Sequence, residues 1–148
     1  MKTLPIEIWS DIACPWCYVG KRRFEAALAR FPHGERVTVT WRSFELDPSA
    51  PPVLDSTTSY AARLGRKYGK PTSEAQSMID SMTEVAREDG LDFHFDVIAP
   101  GNTFNAHRVL HLAKTQGRGG RGEGAALSGL LHGRPRDGRP RYTAGAGR

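Results

Sequence analysis

Leu4, Ile6 and Ile8 occupy alternate positions before Trp9, the period-two pattern of a short strand. After Ser10-Asp11 the period changes. Tyr18, Phe24, Ala27, Leu28 and Phe31 recur at helical spacing, and Pro32-His33-Gly34 ends that run. Val37-Thr38-Val39-Thr40-Trp41 is a β-branched stretch and predicts a second strand. Strand, helix and strand make a βαβ unit, whose strands are parallel and whose crossover is right-handed. Phe44 to Val53, with Pro48, Pro51 and Pro52, predicts an irregular connection. At least three helices are expected beyond it. Thr57 or Thr58 caps one that runs to about Tyr68, where Gly69-Lys70-Pro71 breaks it. Ser73 and Gln76 form a capping-box pattern before Met78, Ile79, Met82, Val85 and Ala86, and Gly90 ends that helix. Phe93 and Phe95 alternate briefly, and Asn102 or Thr103 caps a last helix through Phe104, Ala106, Val109, Leu110 and Ala113 to Gly117.

The 148 residues suffice for one domain with a core. Their net charge of +5 suggests nucleic acid until it is located. Residues 1–116 hold 14 Lys/Arg and 14 Asp/Glu, while residues 117–148 hold 7 arginines against Glu123 and Asp137. The excess is therefore confined to the tail, and no nucleic-acid partner is expected for the body. Met1 to Trp9 lacks the apolar run of a secretion signal, and no stretch approaches a membrane span. No membrane partner and a cytoplasmic location are the expectations.

The two cysteines stand three apart, as Cys14-Pro15-Trp16-Cys17, between the first strand and the first helix. A disulfide-stapled scaffold would use more cysteines at wider spacing. On the first turn of a helix, Cys14 would face unpaired backbone N–H groups and the positive end of the helix dipole, which favour a thiolate. Cys17, one turn on, would lie on the same face and resolve a mixed disulfide formed on Cys14. Pro15 suits the first helical position, and Trp16 would supply an apolar surface beside the sulfurs. Zinc is the competing chemistry, but its other half could come only from His107 and His111, about ninety residues away. Those histidines are read instead as solvated or capping, Trp9 and Trp41 as core, and Lys21-Arg22-Arg23 as a solvated helix face.

Residues Ser10 to Arg22, reading SDIACPWCYVGKR, closely resemble the opening of the FrnE-like branch of the DsbA family. That family shares its fold with 2-hydroxychromene-2-carboxylate isomerases and kappa-class glutathione transferases. Trp41 to Pro48 resembles the family's second strand and following turn, and Asn102 to Arg108 resembles the opening of a helix in its inserted helical subdomain. The resemblance covers residues 4–116. It implies an α/β, thioredoxin-like fold with a helical insertion from about residue 55, and dithiol–disulfide exchange with protein or small-molecule thiols and disulfides. Cys14 and Cys17 would be catalytic, with Pro15 and Trp16 supporting them. No bound cofactor is implied, although glutathione could serve as a redox partner. The isomerase and transferase relatives usually carry serine where this chain has Cys14, so two cysteines favour redox chemistry over a glutathione-dependent isomerase or transferase.

The family's C-terminal cis-proline loop, strands and last helix are not legible after Gln116. Residues 117–148 contain ten glycines and seven arginines with no apolar period after Leu131. One reading is a disordered Arg/Gly tail of the RNA-binding kind, but apart from Tyr142 it lacks interleaved aromatics. The favoured reading is an out-of-frame tail, with a non-functional frameshift product as one alternative for the chain. With a suitable choice of wobble bases, Gly129 to Pro140 read one base later becomes Ala-Tyr-Phe-Thr-Asp-Gly-Arg-Glu-Met-Gly-Asp, which resembles the family's sequence at that point. The expectation is thus an incomplete domain, 1–116, followed by a frameshifted tail.

Overall fold

The computed structural model of the chain describes residues 3–52, 57–98 and 101–115. The Gly/Arg-rich stretch, and the expectations that concern it, lie outside these residues. Strand β1 (Leu4–Ser10) leads to helix α1 (Pro15–Arg30), a 3-10 turn at Gly34–Arg36 and strand β2 (Val37–Ser43). Helices α2 (Tyr60–Tyr68), α3 (Thr72–Glu88) and α4 (Phe104–Thr115) follow. Among the described residues the sheet has two strands, paired in parallel from Leu4 opposite Val37 to Ser10 opposite Ser43. The order βαβ then ααα follows the change of period along the chain.

Helix boundaries are set by local chemistry. Pro15 takes the N-terminal turn of α1, and at the other end the Phe31 N–H donates to the Leu28 carbonyl before Pro32 stops the helix. Helix α2 is capped by Ser59, whose hydroxyl accepts from the Ala62 N–H, rather than by Thr57 or Thr58. It ends at Gly69, where φ is 64°, a conformation that favours glycine. A Cβ at Gly65 would stand 2.7 Å from the Lys70 carbonyl oxygen, so a bare residue is needed where the chain turns back. Pro71 then sits at the N-cap of α3 with its φ preset, and the helix begins at once with Thr72. Ser73 is thereby drawn inside the first turn, and the expected capping box does not form.

The buried core belongs mainly to the helices. Ala75, Ile79, Met82 and Ala86 form one buried stripe of α3, and Ile79, Met82 and Ala86 share a core with Tyr18 and Val19 of α1, Ala61 of α2, and Ile12. The segment after α3 closes the core with Leu91, Phe93 and Phe95. Phe93 stacks on Tyr18 at 6.1 Å, and Phe95 stacks on Tyr60 at 5.1 Å between ring centroids.

Two expectations change here. Trp9 is 58% exposed rather than core, because it shares with Pro5 and Glu7 a sheet face that the described residues leave uncovered. Trp41 is half-buried against Phe24, as the core reading requires. Lys21 is 7% exposed rather than solvated; its ammonium lies 4.8 Å from the Trp41 ring centre and pairs with Glu25. Its aliphatic stem is buried while its charge keeps two partners.

Candidate active site

The cysteines lie where the parallel strands end and α1 begins. β1 runs out at Ser10, and the Cys14 N–H donates to the Asp11 carbonyl at 3.1 Å. Cys14 is the N-cap of α1, with extended backbone at φ −96° and ψ 109°, and Pro15 follows it. The Cys17 N–H donates to the Cys14 carbonyl at 3.1 Å, which folds Cys17 back within the first turn. Both cysteines are free thiols and both are half-buried, so exposure does not separate them. Position does: only Cys14 is at the cap. The N–H groups of Cys17 and Trp16 act on its sulfur and favour its thiolate, although no full capping hydrogen bond forms in the dithiol state.

A hydrogen bond between the two thiols dominates their acidity. It draws Cys17 down from the ordinary 9.0 to about 6, and it raises Cys14. Burial and the neighbouring Cys17 charge push Cys14 up further. Burial opposes the fall at Cys17, while the Asp11 backbone and the Ser10 hydroxyl assist it and the Asp11 charge works against it. The pair therefore behaves as one acid. Its first thiolate forms easily because the remaining S–H bonds to it, and its second proton is held tightly.

Asp11 joins this turn to the rest of the molecule. Its residue is 2% exposed. One carboxylate oxygen accepts from the Ala13 N–H at 3.2 Å and lies 3.4 Å from His107 Nε2; the other accepts from the Leu46 N–H at 2.8 Å. His107, 6% exposed on α4, donates from Nε2 to the Phe44 carbonyl at 3.1 Å, which fixes the proton on that nitrogen. The same junction holds Asn102. Its side-chain N–H₂ reaches the Pro48 carbonyl at 3.2 Å, and its oxygen accepts from the Phe104 N–H at the start of α4. Thus the stretches 10–22, 41–48 and 102–108, far apart in the chain, meet around one buried carboxylate.

Cys14 and Cys17 are thus brought together as expected, with Pro15 between them and Trp16 exposed beside them. The two histidines are used elsewhere. His107 binds the β2–α2 connection, and His111 Nε2 lies 2.9 Å from the Ser43 hydroxyl. Among the described residues no three His, Cys, Asp or Glu side chains are grouped to hold a metal, and no helix is long and apolar enough to cross a membrane. Ser10 and Asp11 were not singled out by spacing or periodicity, and His107, read from the sequence as solvated or capping, is instead buried against Asp11 and the Phe44 carbonyl. Their one signal was that all three fall inside the family-like stretches.

The DSBA-like thioredoxin domain model matches residues 5–132, and so runs past the Gln116 boundary expected from the sequence. The uncharacterized protein YwbO of Bacillus subtilis (strain 168) is 32% identical over 118 residues, covering 79% of this chain and 51% of YwbO. The crystal structure of the probable DsbA oxidoreductase SCO1869 from Streptomyces coelicolor superposes with a TM-score of 0.78 at 44% identity, covering 87% of this chain and 54% of SCO1869. The chain therefore spans about half the length of these two relatives, with a thioredoxin-like DsbA fold that is incomplete in its sheet among the described residues. A family model over most of the chain and a shared fold at this identity place it plainly: the chain belongs to the DSBA-like thioredoxin domain family.

Proposed function

We propose that this chain carries the redox centre of a thiol–disulfide oxidoreductase of the FrnE-like branch, with Cys14 as the attacking thiol and Cys17 as the resolving one. The observation that carries the reading is a dithiol on the first turn of α1 whose hydrogen-bonded thiols share one easily lost proton, with Cys14 at the helix cap and Cys17 one turn inside. Starting from the disulfide form, a substrate thiolate attacks the Cys14 sulfur. The Cys14–Cys17 bond breaks, and Cys17 leaves as a thiolate. A second substrate thiol, as its thiolate, then attacks the substrate sulfur of the mixed disulfide and releases Cys14 as a thiolate. The substrate loses two electrons to the protein and gains a disulfide; the reverse sequence reduces a substrate. A low first pKa serves both directions, since thiolate is the nucleophile and also the better leaving group.

Protein and small-molecule thiols or disulfides are the substrate class, with glutathione among the candidates for redox partner. A reducing, cytoplasmic setting suits a chain whose two cysteines both belong to the reactive motif. Trapping tests the roles. Cys17→Ser should accumulate mixed disulfides on Cys14, and Cys14→Ser should trap little. Equal trapping by both variants reverses or removes the assignment, and no exchange by the unaltered chain with any thiol sinks the reading.

A further inference from the structure

Two paths lead from α4 to the redox turn, and both start at the Nε2–H of His107. Along the first, that N–H donates to the Phe44 carbonyl at 3.1 Å, and the Phe44 N–H donates to the Ser10 carbonyl at 3.1 Å. Along the second, the same nitrogen lies 3.4 Å from one oxygen of the Asp11 carboxylate. Ser10 and Asp11 are neighbours in the chain, so the two paths close into a ring. Asp11 in turn fixes the approach to the cysteines. The carboxylate oxygen that faces His107 also accepts from the Ala13 N–H at 3.2 Å, and the Asp11 carbonyl accepts from the Cys14 N–H at 3.1 Å. Both side chains are shut away from water, and a buried carboxylate keeps its place only where donors meet it. His107 Nδ1 is buried without a hydrogen-bond partner among the described residues, so Nε2 alone holds the ring.

From this geometry we infer that His107 is a positioning residue for disulfide exchange: its Nε2–H holds the Asp11 carboxylate against the Ala13 N–H, and Asp11 thereby holds Cys14 at the cap of α1. The inference rests on the disulfide-exchange reading above and adds a residue to it. His107 acts through Asp11 and not on either sulfur. When a substrate thiolate attacks Cys14, a new S–S bond forms there, the Cys14–Cys17 bond breaks, and its electron pair goes to Cys17. That displacement needs the incoming sulfur in line with the bond that breaks. A carboxylate free to swing lets the turn shift out of that line, and a misplacement of about 1 Å can cost about a hundredfold in rate.

Substitution at position 107 separates positioning from packing. His107→Leu keeps an apolar side chain and removes the N–H. It should slow opening of the Cys14–Cys17 disulfide by dithiothreitol about tenfold in protein that circular dichroism shows to be folded. His107→Gln places an amide N–H the same number of bonds from the backbone, and should return the rate to within about threefold of the parent. A histidine that only fills space would lower stability in both variants and leave the rate of the folded chain unmoved. Asp11→Ala removes the group through which His107 acts. In that background His107→Leu should change the rate by less than about twofold, because two residues on one path do not add. Should Asp11→Ala fail to fold, the comparison of leucine with glutamine decides alone. Glutamine no faster than leucine, or an undiminished effect of His107→Leu without the Asp11 carboxylate, overturns the inference and leaves the exchange reading intact. A chain that forms no Cys14–Cys17 disulfide removes that reading and the inference with it.

Discussion

Asp11→Asn should move stability and thiol acidity in ways that a purely structural carboxylate would not. The carboxylate accepts from two backbone N–H groups and faces His107, so placing an amide N–H₂ there leaves at least one buried donor opposed to another. A loss of about 2 kcal/mol in unfolding free energy is expected. The same change removes a negative charge that opposes the Cys17 thiolate, so the first thiol pKa should fall below its present value of about 6. Denaturation and pH-dependent alkylation would read the two effects separately, and a rise in thiol pKa would count against the electrostatic account. The pH dependence of stability has its own sign. A thiol lowered in the folded state from 9.0 to about 6 makes stability rise with pH between those values and fall away as pH drops through about 6. Its partner Cys14 is raised, so the gain reverses above about pH 9. The disulfide form titrates neither group. Melting temperatures of the reduced and oxidised chains should therefore diverge across this window, and parallel profiles would contradict the shared-proton picture.

At the scale of elements, Ser59 and Ser73 offer a matched comparison. Ser59→Ala removes the hydroxyl that accepts from the Ala62 N–H and should cost about 1 kcal/mol of stability. Ser73→Ala lies within the first turn of α3, where no side-chain cap forms, and should cost less than about 0.5 kcal/mol. Equal losses on chemical denaturation would restore the capping box that the sequence suggests. The comparison also shows why the elements were legible and their ends were not. Period-two and helical spacing identified both strands and the four helices of the described residues, since burial of one face imposes those periods. Caps depend on the exact path of the chain. Thr57, Thr58 and Ser59 are all chemically fit to cap, and only the exit geometry from the preceding connection chooses Ser59. Before α3, the left-handed Gly69 and the preset φ of Pro71 start the helix two residues too early for Ser73 to serve. The Cys14-to-Cys17 turn was legible because its four residues are local. The Asp11–His107 contact joins residues from opposite ends of the described chain, and nothing in the local period of either end encodes it.

At the scale of the whole molecule, the helices bury their stripes against one another, while the described residues leave one face of the sheet uncovered. Leu4 and Trp9 of β1 are more than half exposed, as are Phe44 and Leu46 beside the junction, and β1 pairs with β2 alone among the described residues. A two-stranded sheet is marginal by itself, and an apolar strand with a free edge invites pairing with another chain. The redox turn depends on this sheet, because Ser10 and Asp11 are placed by the end of β1. Fold completeness and redox competence are thus coupled through one strand. The 148-residue chain should accordingly self-associate as its concentration rises and bind a hydrophobic dye strongly, and its exchange rate per molecule should fall in parallel. Trp9→Lys places a charge on the uncovered face and should reduce association several-fold while changing unfolding free energy by less than about 1 kcal/mol, because the side chain it replaces is mostly exposed. Light scattering, dye fluorescence and denaturation of the two proteins at matched concentrations would measure this. A chain that stays monomeric and dye-silent across the range would show that the strand is already covered, and the coupling between sheet and redox turn would then need no protection from outside the described residues.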